Sequence, residues 1–234
     1  IKGNKMLNVI LCAYRDWAIE INNYIAQLPK INCVKRIHSK TEFDAFIKDI
    51  AFYEIDFMLF VGWSWIIPEV IICKYLCLGI HPSDLPAYRG GSPIQHQIIN
   101  GITQTKITLM ELSAKKIDAG DIYAKEEVSL DGNTMSAVFR NIVDSSKRML
   151  EKFINNYTSI VPQKQDILQG SYYARRKPSD SKLDRLDFNE MSLKSLYNFM
   201  RALTDPYPNA YLEDEKGNRL IFKEVEYIDA LQNK

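Results

Sequence analysis

The chain has 234 residues, 46% of them hydrophobic, enough for one large domain or a domain with a small appendage, and nothing in its composition suggests disorder. Lys plus Arg number 30 against 29 Asp plus Glu, so a net charge of +1 gives no general attraction to nucleic acid or to a membrane surface. No apolar run approaches the roughly 18 residues of a membrane span, and Ile1-Lys2-Gly3-Asn4-Lys5 lacks the pattern of a signal peptide, so a cytoplasmic protein is expected.

Leu7 to Cys12 is an apolar run with β-branched members and reads as a first strand, feeding a helix that carries Trp17, Ile19, Ile21 and Ile25. No GxGxxG phosphate loop stands at that junction, which argues against an ordinary dinucleotide-binding enzyme. Asn32 to Ile37 is a second strand. Phe43, Phe46, Ile47 and Ile50 follow at helical spacing, with Thr41 as the expected cap. Ile55 to Val61 is nearly all apolar, as in a parallel strand covered on both faces. After the loop Gly62 to Ile67, Pro68 suits a first helical position, and Leu76 to Ile80 is the next strand, ending at His81. Because ligands in open α/β sheets bind beyond the carboxyl ends of the strands, the Trp63 to Ile67 loop and His81 are expected on one rim.

Ser92-Pro93 opens a helix that stops at Gly101, and Lys106 to Glu111 and Ile122 to Val128 are two further strands. A long helix from Thr134 to about Asn155 carries Met135, Val138, Phe139, Ile142, Leu150 and Phe153 on one side, with Asn133 or Thr134 as its cap. Ser192 caps a last helix, and Ala210 to Leu212 with Arg219 to Lys223 form a hairpin around Lys216-Gly217-Asn218. The expected fold is therefore α/β: a Rossmann-like, mostly parallel sheet with helices on both faces (1–162), then a small C-terminal extension of helix and β-hairpin (163–234). Four cysteines, Cys12, Cys33, Cys73 and Cys77, lie in apolar segments without CxxC spacing and read as buried free thiols.

A histidine at a strand end with a carboxylate brought in by a loop is a proton-transfer unit. The carboxylate favours the imidazolium and fixes the tautomer, so the ring can exchange a proton with a reacting amine. Asp118 is the chosen partner of His81; Asp84 and Asp121 are rivals that spacing does not separate. His38 and His96 read as structural, and three scattered histidines show no zinc-ligand spacing, so no metal is expected. Trp63 and Trp65 are either core aromatics or a wall for a flat heteroaromatic ligand. Arg175-Arg176-Lys177, beside Tyr172 and Tyr173, is either a solvated charge run or a clamp for a pyrophosphate with a stacked base.

The run His81-Pro-Ser-Asp-Leu-Pro-Ala-Tyr-Arg-Gly-Gly-Ser-Pro93, followed by Ile117-Asp-Ala-Gly-Asp-Ile122, resembles the folate-dependent formyltransferases over about Val61 to Val128. A weaker echo, Tyr173 to Pro178 and Asp205-Pro-Tyr-Pro208, resembles the tail of the sugar- and tRNA-modifying branches. The resemblance implies that His81 handles the proton and that Asp118 poises it. It also implies that 10-formyltetrahydrofolate lies across Trp65, Ile66 and Ile67, with its pterin edge read by backbone from Ala114, Lys115, Lys116 and Ile117 toward Asp118. A substrate amine would attack the formyl carbon and release tetrahydrofolate. The family's usual asparagine two residues before the histidine is Gly79 here, so Gln95, Asn100 or the His81 ring is expected to serve as donor in its place.

Resemblance to the tRNA branch implies a sizeable basic C-terminal domain, whereas only about seventy residues follow Pro162 and the chain is neutral, so a sugar nucleotide is favoured over tRNA as substrate. The implied enzyme is a sugar nucleotide N-formyltransferase acting on a dTDP- or UDP-linked amino deoxysugar for surface polysaccharide (O-antigen) synthesis, with no nucleic-acid or membrane partner. Arg89, Gln95, Tyr173, Arg175 and Arg176 would bind that substrate, and the last helix and hairpin suit a homodimer contact. The alternatives are a glycinamide ribonucleotide or methionyl-tRNA formyltransferase, a 10-formyltetrahydrofolate hydrolase, or a folate- or nucleotide-binding protein without turnover.

Overall fold

A computed structural model describes residues 6–230; the opening Ile1-Lys2-Gly3-Asn4-Lys5, read above for a leader, lies outside the described residues. The chain runs β1 (Leu7–Cys12), α1 (Asp16–Ile25), β2 (Ile31–Ile37), α2 (Lys40–Asp49), β3 (Phe57–Phe60), α3 (Glu69–Lys74), β4 (Cys77–His81), β5 (Arg89–Gly90), α4 (Pro93–Ile99), β6 (Gln104–Glu111), β7 (Ile122–Ser129) and α5 (Met135–Asn156). Then come β8 (Tyr172–Tyr173), β9 (Lys182–Leu183), α6 (Asp187–Glu190), α7 (Leu193–Ala202), β10 (Tyr211–Glu213) and β11 (Arg219–Ile221).

Six strands form the main sheet in the order β2-β1-β3-β4-β6-β7. The first four are parallel, and β6 and β7 join antiparallel. The alternation along each strand explains why helices cover both faces. Val9, Leu11, Phe57, Leu59 and Leu78 pack to one side with α1, α4, α5 and α7, while Ile10, Cys12, Met58, Phe60 and Cys77 pack to the other beneath α2 and α3.

Several element ends differ from the sequence reading. Ser39, not Thr41, caps α2: its hydroxyl accepts from Glu42 N at 3.1 Å while the Glu42 carboxylate accepts from His38 N at 2.7 Å, a reciprocal pair that satisfies two exposed amides. Pro68 sits one residue before α3. Cys33 is only partly buried, at the margin of the main core, and Cys73 is exposed.

The segment after α5 shares the main core. Leu196, Met200, Ala202 and Leu203 bury against the same cluster as α5. The buried Arg201 guanidinium donates to the carbonyls of Leu130 and Gly132 at 2.7 and 3.1 Å, and Thr204 Oγ1 accepts from Met135 N at 2.7 Å at the start of α5. A three-stranded sheet, β11-β10-β9, closes this end. Among the described residues no helix is long and apolar enough to cross a membrane.

Candidate active site

His81 is the last residue of β4, at the carboxyl rim of the parallel strands, and is only 5% exposed. The loop after it is braced from both sides: Gln97 Nε2 donates to Pro82 O at 2.8 Å, and Thr108 Oγ1 donates to Ser83 O at 2.7 Å. The His81 Nε2 lies 2.8 Å from the Tyr88 carbonyl, which can only accept, so Nε2 carries a proton. Tyr88 is held at φ 57°, its ring stacked on Tyr173 at 4.9 Å. With Nε2 so engaged, Nδ1 faces Asp118 Oδ2 at 3.4 Å.

The same Asp118 oxygen accepts from Gly90 N at 2.9 Å. Gly90 has φ 94°, and a Cβ there would stand 2.3 Å from the Tyr173 carbonyl oxygen, so glycine is required. Among the described residues only Asp118 brings a carboxylate within 4.0 Å of the His81 ring nitrogens, whereas Asp84 is drawn between Lys106 and Lys125 on the sheet surface. Burial pushes the Asp84 carboxyl up, but hydrogen bonds and charge from those two lysines more than offset this and hold it below the usual range.

Two lobes of one cleft meet at His81. The first, about 430 Å³, is walled by Trp63, Trp65, Ile66, Ile67, Leu112 and Ile117. Trp65 packs on Tyr14 at 4.4 Å and on Trp63 at 4.8 Å, and Trp63 Nε1 is buried without a partner. The second, about 280 Å³, is lined by Arg15, Gln95, Arg175, Arg176, Lys177 and Tyr207. The two share the rim from Gly62 to Ser64, Ile80, His81, Gly90, Gly91 and Arg175.

The expected site residues divide accordingly. Trp65, Ile66, Ile67 and Ile117 wall the first lobe, while Ala114, Lys115 and Lys116 lie exposed on the loop leading to it. Gln95, Arg175 and Arg176 line the second. Arg89 and Tyr173 line neither: the Arg89 guanidinium reaches the Ile167 carbonyl at 3.5 Å, and the Tyr173 ring sits between Tyr88 and His96. A Cβ on Gly79 would meet Leu112 Cδ2 at 2.6 Å, so a side chain in the place of the family's asparagine needs the end of Leu112 to shift. Asn100 turns to the hydroxyls of Tyr88 and Tyr173, whereas Gln95 is buried with its Oε1 unpartnered. Arg15, Tyr88 and Gly90 were not foreseen. Arg15 follows β1 at the same rim as His81, a placement the strand pattern could have flagged; the Tyr88 carbonyl and Gly90 amide are backbone groups without a signature.

A family model described as formyl transferase matches residues 22–154. The chain belongs to this family. Its members are enzymes that move a formyl group, with 10-formyltetrahydrofolate as donor. Among curated relatives, the methionyl-tRNA formyltransferase of Lachnospira eligens is 32% identical over 173 residues, 72% of this chain and 53% of that protein. Among solved structures, methionyl-tRNA formyltransferase from Clostridium thermocellum superposes with a TM-score of 0.82 at 30% identity, covering 96% of this chain and 95% of that one. HypX from Aquifex aeolicus in complex with tetrahydrofolic acid shares the fold, with a TM-score of 0.75 at 18% identity over 89% of this chain and 36% of that one. The chain spans about half to two thirds of the length of the curated relatives it matches.

These relatives overturn the sugar-nucleotide reading, and the surface-polysaccharide role loses its support with it. Curated relatives at 28 to 33% identity are named methionyl-tRNA formyltransferase, whereas solved sugar N-formyltransferases match at 18% identity, which carries the fold alone. The reading failed for two physical reasons. Residues after Pro162 were counted as the whole tail of a protein, although the relatives extend further than the matched stretch. A net charge of +1 averages over the surface and hides four cations lining one lobe.

Proposed function

We propose that this chain is the formyl-transferring portion of a methionyl-tRNA formyltransferase, carrying a formyl group from 10-formyltetrahydrofolate to the amino group of methionyl-tRNA. The observation that carries this reading is the His81–Asp118 pair at the junction of an aromatic lobe and a cationic one. The names of the relatives supply the acceptor.

The first lobe suits a flat heteroaromatic group: Trp63, Trp65, Ile66 and Ile117 offer apolar walls, and the orphaned Trp63 Nε1 is a donor in need of an acceptor. Bound there, 10-formyltetrahydrofolate supplies an electrophilic formyl carbon on its N10. Arg15, Arg175, Arg176 and Lys177 hold the phosphates of the acceptor end in the second lobe. The Tyr88 carbonyl keeps a proton on Nε2, so Nδ1, beside Asp118, is the ring nitrogen left to exchange one. His81 takes the proton that the attacking amine loses and returns it to the departing nitrogen, while Asp118 balances the positive ring between the two transfers.

Mixing the chain with 10-formyltetrahydrofolate and methionyl-tRNA tests this: formylmethionyl-tRNA and tetrahydrofolate should appear in equal amounts. Formate release that does not depend on the acceptor would overturn the reading, as would donor binding with no turnover.

A further inference from the structure

The two partners of His81 are both held by one stretch of chain that lies beyond the matched family region, residues 163–173. At its start, Gln163 pairs through its backbone with Ile122 in both directions, at 2.7 and 2.8 Å. Two residues on, Gln165 Nε2 donates to the Asp118 carbonyl at 3.2 Å and to the Gly120 carbonyl at 2.6 Å, clamping the turn from both sides. Asp118 stands at φ 51° in that turn, a conformation that an L-residue keeps only while its surroundings hold it. Further along, Ser171 Oγ accepts from Tyr88 N at 2.8 Å, Ser171 N donates to Pro86 O at 3.2 Å, and Tyr173 stacks on the Tyr88 ring. Tyr88 is the residue whose carbonyl fixes the His81 ring.

We propose that Gln165 and Ser171 are positioning residues for the proton pair, setting the approach of Asp118 and of the Tyr88 carbonyl to His81 without touching a reacting atom. The proposal deepens the formyl-transfer reading and rests on it for its kinetic consequence. Removing the Gln165 carboxamide leaves the Asp118 and Gly120 carbonyls without their donor; the turn then relaxes from positive φ and carries Oδ2 away from Nδ1. Such a displacement lowers the rate of the proton-transfer step and leaves both lobes intact for binding.

The test is Gln165→Leu, which keeps the volume and deletes the donor, with Gln165→Ala made alongside in case the first fails to fold. In the folded variant kcat should fall about tenfold or more, with KM for donor and acceptor within about twofold of the parent. Ser171→Ala should lower kcat by about threefold. Gln169→Ala, whose amide holds only Asp166 at 2.9 Å, should leave kcat unchanged. A readout independent of turnover is the pair of ring ¹⁵N resonances of His81, one of three histidines in the chain, which should move in Gln165→Leu and stay fixed in Gln169→Ala. Full kcat and unmoved His81 resonances in a folded Gln165 variant would overturn the proposal. If the parent itself transfers no formyl group, the functional reading falls, and the ring resonances alone decide the role of Gln165.

Discussion

The two lobes that meet at His81 are built on opposite principles. The first is walled by indole and aliphatic surface, with Ile66 91% and Ile117 61% exposed at its rim, so apolar area stands ready to be covered. The second carries Arg15, Arg175, Arg176 and Lys177, and its geometry is held by backbone: a Cβ on Gly91 would come within 2.4 Å of the Arg175 Cα. A flat, weakly charged group gains from the first by desolvation, and a phosphate-bearing one from the second by charge. On the proposed reading, the difference teaches how one imidazole serves two unlike substrates, an apolar one and a phosphate-bearing one, brought to it from different sides.

Substitutions at the junction, then on each side, probe that division. His81→Ala should lower turnover by about a hundredfold or more while titrations still show both substrates binding; retention of most activity would remove His81 from the chemistry. Lys177→Ala, which touches only the second lobe, should raise the acceptor KM by about tenfold and flatten its salt dependence, since one phosphate contact is lost. An equal rise in the donor KM would show that the lobes are not separate. Ile66→Ala should weaken donor binding by of order 1 kcal/mol, roughly fivefold, through lost apolar contact, with the acceptor KM unmoved. Asp84, outside both lobes, gives the smallest effect. Its folded carboxyl is held below the unfolded value, so its contribution to stability is present above the unfolded value and lost as pH falls through the folded one. Asp84→Asn should therefore flatten the acid limb of a Tm against pH curve, by a small amount because the side chain is 42% exposed; a parallel acid limb would contradict this.

What the sequence revealed was local. The buried runs at β1, β3 and β4, and the turn-formers after His81, are signals spanning a few residues, and they placed the histidine at the sheet rim. The choice of Asp118 over Asp84 was not local, because only the packed sheet shows Lys106 and Lys125 taking the nearer rival. Tyr88 and Gln165 act through main-chain carbonyls, Gln165 across 47 residues to Asp118, and no residue pattern advertises such a contact. Ser39 displaced Thr41 as a cap because either residue type serves and the Glu42 side chain decided between them. The acceptor was misread because total charge carries no information about where charges gather.

The most direct test of the account is a double-mutant cycle on single-turnover formyl transfer with His81→Ala, Asp118→Asn and the pair together. If the two side chains act as one proton-handling unit across their 3.4 Å contact, the double variant will be no slower than His81→Ala alone. Rate losses that multiply in the double variant would show two independent contributions and contradict the account.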